Sequence, residues 1–476
     1  MGKNIAYKYL QLAEKLQQMI SDGAYSEGNK LPSVRTLHLE HNISISTALQ
    51  VYAYLEKQGW IEAREKSGYY VRYSHRRNQR ALPPISKPIL KPAQVQVNEQ
   101  LARLNHYNVG IKSISLIGAA PNPKILPVAR LKKALAATAR ELTDEYIPYG
   151  HIQGYEPLRK QIARLSLNWG RAIAPGDIII TNGMLEAATL CLRAVAKPGD
   201  TIAIESPTFF GLLLAIENLG MKALEIPTDP VTGIQLDKLE HAFKQKKVQA
   251  CLLVPNYGNP LGCCIPDPQK EQLAKLLQQY QVPLIEDDVY GDLHFGIDRP
   301  KTVKSYDQEG WVLYCSSFSK SVAAGLRIGW IIGGRYHEKI SQLKFMASGG
   351  TSTLPQLLLN KYLNQNRFDL HLKALRQALS MQTRQMSKAI QDYFPASTQL
   401  TQPQGGLAIW VVLPPKVDTW QLFDAARQEE IIFTPGPLFS SQHVYGNCLR
   451  LSNANPWTEE QDYAIKTLGR LIKTQL

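Results

Sequence analysis

The sequence predicts a multidomain chain with two parts of different fold class. One is a small, mainly α N-terminal part that ends in a hairpin; the other is a large α/β part built on a mostly parallel sheet. Three observations predict this. Apolar residues recur at three- and four-residue spacing up to about residue 58, Pro83, Pro84, Pro88 and Pro92 then interrupt the chain, and from about residue 113 short apolar runs alternate with helical ones. At 476 residues the chain can hold two or three domains, each with its own core. Hydrophobic residues (44%) and charged residues (20%) stand near the globular average, with no apolar run long enough to span a bilayer. The start, Met1 to Tyr7, lacks the apolar core of a signal peptide, so a cytoplasmic protein without a membrane segment is expected.

Tyr9, Leu12, Ala13, Leu16, Met19 and Ile20 form one face of a helix running from Tyr7 to Ile20, which Gly23 and Gly28 break. Leu31-Pro32-Ser33 supplies a turn and a serine cap, and Val34, Leu37 and Leu39 a short second helix to about Asn42. The third runs from Ser44 to Gln58 and stops at Gly59. Trp60 to Arg64 and Tyr69 to Tyr73 read as two strands joined around Lys66-Ser67-Gly68. Three helices and a hairpin describe a winged helix-turn-helix over residues 1–73. In such a motif the last helix enters the major groove with its N-terminal turn, where free N–H groups and small hydroxyls meet phosphates and base edges. Ser44, Ser46 and Thr47 occupy that turn; Arg35, beside Ser33, can reach a phosphate or a guanine, and Gly68 lets the wing approach the DNA backbone. The alternative is a three-helix protein-interaction module, which the combined pattern disfavours.

The net charge of +14 favours a polyanionic partner, though residues 1–73 carry only +2 of it. Residues 74–92 hold Arg76, Arg77, Arg80, Lys87 and Lys91 with no acid, so the start of a Pro-rich basic linker, 74–112, is expected to add phosphate contacts and to run as extended chain. All six cysteines read as reduced core thiols, none at metal-ligand spacing, and no metal site is expected.

In the large part, 113–476, the runs at Ile178–Ile180, Thr201–Ile204, Cys251–Val254, Pro283–Ile285 and Trp311–Tyr314 read as strands of one sheet with helices on both faces. Ser316-Ser317-Phe318-Ser319-Lys320 is followed by Gly325, Arg327 and Gly329. A lysine that forms a Schiff base needs a partly desolvated or positive setting to be a neutral nucleophile. Ser317 and Arg327 suit a phosphate, and the glycines let backbone approach. Ile285-Glu286-Asp287-Asp288-Val289-Tyr290 ends an apolar strand in carboxylates, at the usual ligand-binding edge of an open α/β sheet. Asp287 can pair with a protonated pyridine nitrogen, which keeps pyridoxal phosphate electron-withdrawing, and Tyr290 can donate to its phenolic oxygen.

The N-terminal stretch resembles the winged-helix domain of the GntR family of bacterial regulators in Leu31-Pro32-Ser33-Val34-Arg35, Ile43-Ser44-Ile45-Ser46-Thr47-Ala48 and Ser67-Gly68-Tyr69-Tyr70-Val71. It departs at Ile45, where many members carry arginine; Ile45 instead suits a thymine methyl. Residues 113–476 resemble the fold-type I aminotransferase family, with a small C-terminal subdomain at about 366–476. The resemblance implies pyridoxal 5'-phosphate on Lys320. It puts the phosphate at the turn Thr181-Asn182-Gly183-Met184-Leu185-Glu186-Ala187, where Met184 and Leu185 offer only N–H groups. It further implies that Phe209 stacks on the ring, Asn259 bonds the phenolic oxygen, and Arg450 in Cys448-Leu449-Arg450-Leu451-Ser452 grips an α-carboxylate. The segment Tyr149-Gly150-His151-Ile152-Gln153-Gly154 resembles the one by which a subunit reaches its partner's phosphate site, so a homodimer is implied. Ala324 stands where regulator-type members usually have proline.

The whole order resembles the MocR subfamily of GntR regulators. That implies a transcriptional regulator bound to a double-stranded DNA operator and sensing pyridoxal phosphate, or an amino acid or amine captured by it. The rival reading is an active aminotransferase with a vestigial or architectural DNA-binding part. A third is a cofactor sensor with no amino acid ligand, in which Arg450 is dispensable.

Overall fold

The computed structural model describes residues 8–21, 24–25, 28–57, 60–64, 67–71, 80–106, 113–118, 120–146, 148–296, 298–365 and 367–476. The chain divides into two compact units, Met1–Arg80 with the short segment Gly296–Asp298 and the remainder from Ala81, described separately below.

In the first unit, helices Lys8–Ser21, Val34–His41 and Ile45–Lys57 close over Leu12, Leu16, Ile20, Leu37, Val51 and Leu55, all buried. Ser33 caps the second helix by accepting from the Thr36 N–H (3.0 Å), and Asn42 ends it in the left-handed region. Ser44 caps the third, accepting from the Thr47 N–H (3.0 Å). The hairpin Ile61–Arg64 and Gly68–Val71 is antiparallel, and Gly68 has φ +107°, a conformation that side chains resist. Tyr52 locks the parts together: its ring stacks on Tyr69 at 4.4 Å, and its hydroxyl donates to the Pro32 carbonyl at 2.6 Å. The expected basic run at Arg76 and Arg77 lies outside the described residues.

In the second unit the large sheet runs, in space, Ala93–Gln94, Lys222–Asp229, Thr201–Ser206, Ala250–Leu253, Leu284–Asp287, Val312–Ser317, Gly329–Ile332 and Ile178–Thr181. Pairings from Lys222–Asp229 to Val312–Ser317 are all parallel; Gly329–Ile332 is antiparallel to both its neighbours. Burial explains the continuous apolar runs. Along Thr201–Ser206, Ile202 and Ile204 enter one core and Ala203 the core on the opposite face, so both faces are covered. Parallel strands end on one edge, where Ser206, Asp287 and Ser317 lie together with Thr181 of the outer strand.

A second sheet, in the order Gln399–Leu400, Ala408–Val412, Cys448–Ser452 and Thr434–Pro435, is antiparallel throughout. Helices Phe368–Tyr393, Thr419–Gln428 and Glu459–Thr474 contribute to its core. The strand Ile114–Ser115 pairs in parallel with Ile431–Ile432, so residues beyond 366 do not complete this subdomain alone.

The linker expectation needs correction. From Ala81 onward the chain is docked on the second unit rather than free. The Ala81 carbonyl accepts from the Leu400 N–H (3.3 Å), and Ser86 exchanges bonds with Thr228. Ala93–Gln94 joins the large sheet antiparallel to Lys222–Asp229. Asn98–His106 is a helix whose N-terminal N–H groups, Val97 and Asn98, donate to Glu217. Proline fixed the extended conformation but not the partner.

Candidate functional site

The reader surface follows from the caps. Ser33 and Ser44 spend their hydroxyls on helix starts, and Ser44 also bonds Ser46 (2.8 Å) and Thr47 (2.7 Å). Ser33, Arg35, Ser44, Ile45 and Ser46 are exposed; Thr47 is half-buried. On the wing, Arg64 lies over the Tyr70 ring at 4.2 Å and pairs with Glu62, which leaves it less available to a phosphate.

The pocket at the sheet edge is assembled by five loops. Lys320 lies in a single π-helical turn, Ser319–Ala323, directly after Val312–Ser317, and its Nζ is 6.0 Å from the Tyr290 ring centre. Burial, with Arg450 and Arg327 nearby, pulls its amine down to about 8, against the opposing charge of Asp287. Asp287 is buried and pushed up to about 7 chiefly by desolvation, although the Val289 N–H donates to it at 3.1 Å. Asn259 bonds the Tyr290 hydroxyl in the sense that favours its phenolate, yet Asn259 Oδ1 is buried with no partner. Burial nonetheless raises the Tyr290 hydroxyl overall.

The turn Thr181 to Ala187 begins the helix Met184–Val195 at Gly183, which has φ +84° and gives no side-chain cap. The Met184 and Leu185 N–H groups are therefore left for a ligand. Arg327 reaches the same turn, donating to the Asn182 carbonyl at 3.1 Å, and a Cβ on Gly183 would overlap its guanidinium. A Cβ on Gly329 would meet Gly183 backbone at 2.7 Å, so both glycines are needed for this approach. Ser317 is buried, accepting weakly from the Ser319 N–H at 3.4 Å.

Arg450 is 1% exposed. Nη2 donates to the Ile117 carbonyl (3.1 Å) and Thr434 Oγ1 (3.0 Å), while Nε is buried with no partner, and burial pulls the group down to about 10. Phe439 lies beneath it at 5.9 Å. Phe209 is half-buried, tilted on Phe210 at 4.6 Å, and Gly211 makes room for its ring. Tyr149 is fully exposed and is not brought to this pocket.

Sequence reasoning missed the supports. Thr434 and the Ile117 carbonyl hold Arg450, and Glu186 ties Asn182 to Lys344. Glu225 is buried and accepts from Ser206, Ser440 and Ser441. Glu186 is four residues from Asn182, a readable spacing; the partners of Glu225 are over 200 residues distant in part and leave no local signal.

These residues fit a phosphorylated pyridine. Uncapped N–H groups and Arg327 suit a phosphate, Asp287 is a buried carboxylate able to accept from a protonated ring nitrogen, and the Tyr290 hydroxyl and Asn259 amide N–H lie together as donors suited to a phenolic oxygen. Among the described residues no cluster of three His, Cys, Asp or Glu is placed to hold a metal, and no helix is long and apolar enough to cross a membrane. All six cysteines are free, with Cys191 and Cys315 Sγ atoms 3.5 Å apart.

Residues 119–468 match the family described as aminotransferase class I and II, and residues 8–71 match bacterial regulatory proteins of the gntR family. The chain is 37% identical over 469 residues to the uncharacterized HTH-type transcriptional regulator YdcR of Escherichia coli K12, covering 98% of this chain and 100% of that protein. It is 36% identical to the uncharacterized HTH-type transcriptional regulator YjiR of the same organism over 465 residues, 98% of each. The crystal structure of the multiple substrate aminotransferase from Thermococcus profundus is similar to it with TM-score 0.74 at 27% identity, over 79% of this chain and 95% of that one. The aminotransferase family implies pyridoxal phosphate as cofactor. With a gntR-type reader ahead of an aminotransferase domain, and full-length relatives of the same order, this chain belongs to the MocR subfamily of GntR-type regulators.

Proposed function

We propose that this protein is a DNA-binding transcriptional regulator, active in the cytoplasm as a homodimer, that senses pyridoxal phosphate together with an amino acid or amine. One observation carries the sensing half. The docked segment leading from the reader is clasped by the loop that also supports Arg450. Gln442 donates to the Ile89 carbonyl and accepts from the Ile89 N–H, both at 2.9 Å. Three residues earlier in the same loop, Phe439 lies under Arg450 and its carbonyl accepts from the Thr208 N–H beside Phe209.

Pyridoxal phosphate, when bound, supplies an aldehyde carbon and an electron-withdrawing ring. The chain's own groups do the rest. Lys320, neutral in part near pH 8, would present Nζ to that carbon and hold or move a proton there. Asp287 would accept from a protonated ring nitrogen; Tyr290 and Asn259 would donate to the phenolic oxygen. Gly183, Met184, Leu185, Ser317 and Arg327 would hold the phosphate, and Phe209 would cover the ring. Arg450 binds the carboxylate of an amino acid ligand. Tyr149, fully exposed, suits a contact with a second copy. Closure over the ligand alters DNA affinity only so far as the ligand binds the two arrangements differently.

Every polar group needed for proton transfer is present, which favours at least one half-turn of transamination as a second reading. Sequencing genomic fragments retained by the purified protein, with and without cofactor at near-physiological salt, tests the proposal. A repeated half-site, altered by the cofactor, is expected. Salt-sensitive retention without a site would leave the enzyme reading alone.

A further inference from the structure

The recognition helix Ile45–Lys57 turns an uncharged face outward over its first turns. Ala48, Val51, Tyr52 and Leu55 are buried, which leaves Ile45, Ser46, Leu49, Gln50 and Ala53 on one exposed arc that ends at Glu56. Ile45 is 53% and Leu49 46% exposed, and at i, i+4 spacing they form one apolar ridge over the first turns. Leu39 on the preceding helix adds a third exposed apolar side chain. A solvated helix face normally carries charge or amide here. The ridge instead begins beside the Ser44, Ser46 and Thr47 hydroxyls, at a helix start whose N–H groups suit a phosphate.

Base chemistry narrows what such a face can read. In the major groove guanine is read by Arg or Lys and cytosine by Asp or Glu; adenine is read by Asn or Gln and thymine by apolar contact with its methyl. Over the first turns the outward arc holds two apolar residues and one glutamine, with no cation or carboxylate; the Glu56 carboxylate lies at the far end of the helix and accepts from the Ala63 N–H at 2.9 Å. We infer that this helix reads an A·T-rich half-site, with Ile45 and Leu49 on thymine methyls and Gln50 on an adenine. This rests on the helix being the DNA reader. Arg35 on the neighbouring helix is exposed and able to take a guanine or a phosphate.

The ridge is exposed, so Ile45→Ala and Leu49→Ala leave the core intact, which circular dichroism checks. Full-length protein with cofactor is first used to select sites from random duplexes. The recovered site is then remade with deoxyuridine in place of thymidine, which removes only the 5-methyl group and keeps the base pair. We expect A·T steps at each half-site centre, about fourfold weaker binding for each contacted methyl lost, and no such penalty in the alanine variants. Gln50→Ala should relax the adenine preference. A selected site that tolerates uracil at every position, or that is G·C-rich under the helix, overturns this inference while the regulator reading stands. Selection of no site at all overturns both.

Discussion

Replacing Arg450 with glutamine decides whether the ligand carries a carboxylate. The guanidinium is buried, two acceptors hold Nη2, and Nε has no partner. Burial pulls the guanidinium well below its ordinary value, to about 10, which corresponds to ~3 kcal/mol of lost preference for the charged form. An incoming carboxylate offsets that loss with charge-assisted bonds. Truncating one partner of a buried charge pair costs about 2–5 kcal/mol, or roughly 30- to 5,000-fold in affinity. The assay is a titration of cofactor-loaded protein with an amino acid and with its decarboxylated amine, followed by cofactor absorbance. Arg450→Gln should weaken the amino acid by that factor and leave the amine unchanged. Arg450→Lys should recover part of it, since a point charge cannot form the planar fork. Equal weakening of both ligands would refute the reasoning, because it would mean general damage to the pocket. An unchanged amino acid affinity would show that Arg450 does not hold the carboxylate.

The rate of cofactor capture should rise with pH through about 8, as Lys320 becomes neutral, and level off above. Asp287 raises that amine, so Asp287→Asn should move the midpoint of the stopped-flow profile to lower pH even though final occupancy falls. Gly183→Ala places a Cβ on the Arg327 guanidinium at a positive φ, a strain of about 1–3 kcal/mol. It should weaken pyridoxal phosphate on the order of tenfold while pyridoxal, without the phosphate, binds as before; fluorescence titration of both compounds checks this. Gln442→Ala removes both bonds to Ile89. Proteolysis within residues 81–94 should quicken and the ligand-dependent change in DNA affinity should shrink, with cofactor affinity unchanged.

Local chemistry was the legible part. Ser33 as a cap, Gly68 at the wing, and the strand ending in carboxylates at Asp287 follow from spacing and residue type, and the structure has them there; Ser44, read as the first residue of the third helix, is its cap, and the run Trp311–Tyr314 extends to Ser317. The strand Lys222–Asp229 was not read, because Glu225 and Pro227 inside it argue against a strand. Glu225 is tolerated because four donors from Ser206, Ser440 and Ser441 satisfy it, and Pro227 falls near the strand end, where its carbonyl accepts from the Gln235 N–H. Gly329–Ile332 was read only as glycines for a close approach; its antiparallel pairing on both sides depends on neighbours remote in sequence. The docked segment failed for the same reason. Its partners Thr228, Glu217 and Gln442 lie far along the chain, so prolines alone suggested a free linker.

How a signal leaves the pocket can be argued from unequal strengths of attachment. Ser440 and Ser441 are buried and fastened to the Glu225 carboxylate by three hydrogen bonds, each worth about 1 kcal/mol. Gln442, the next residue, holds Ile89 through two solvent-exposed bonds, near the lower end of the ordinary range and thus about 1 kcal/mol together. In the regulator proposed above, a displacement at Phe439, under Arg450, would be passed along this stiff loop to the weaker joint at the clasp. A joint of about 1 kcal/mol can bias an equilibrium about fivefold, the lower edge of ordinary allosteric coupling. In the proposed homodimer, two copies acting on one operator would multiply that factor and so double the coupling energy without any stronger contact in either chain. The weakness of the clasp is then what makes it adjustable: an attachment as strong as the three bonds at Glu225 together would hold the segment in one arrangement whatever the pocket contained.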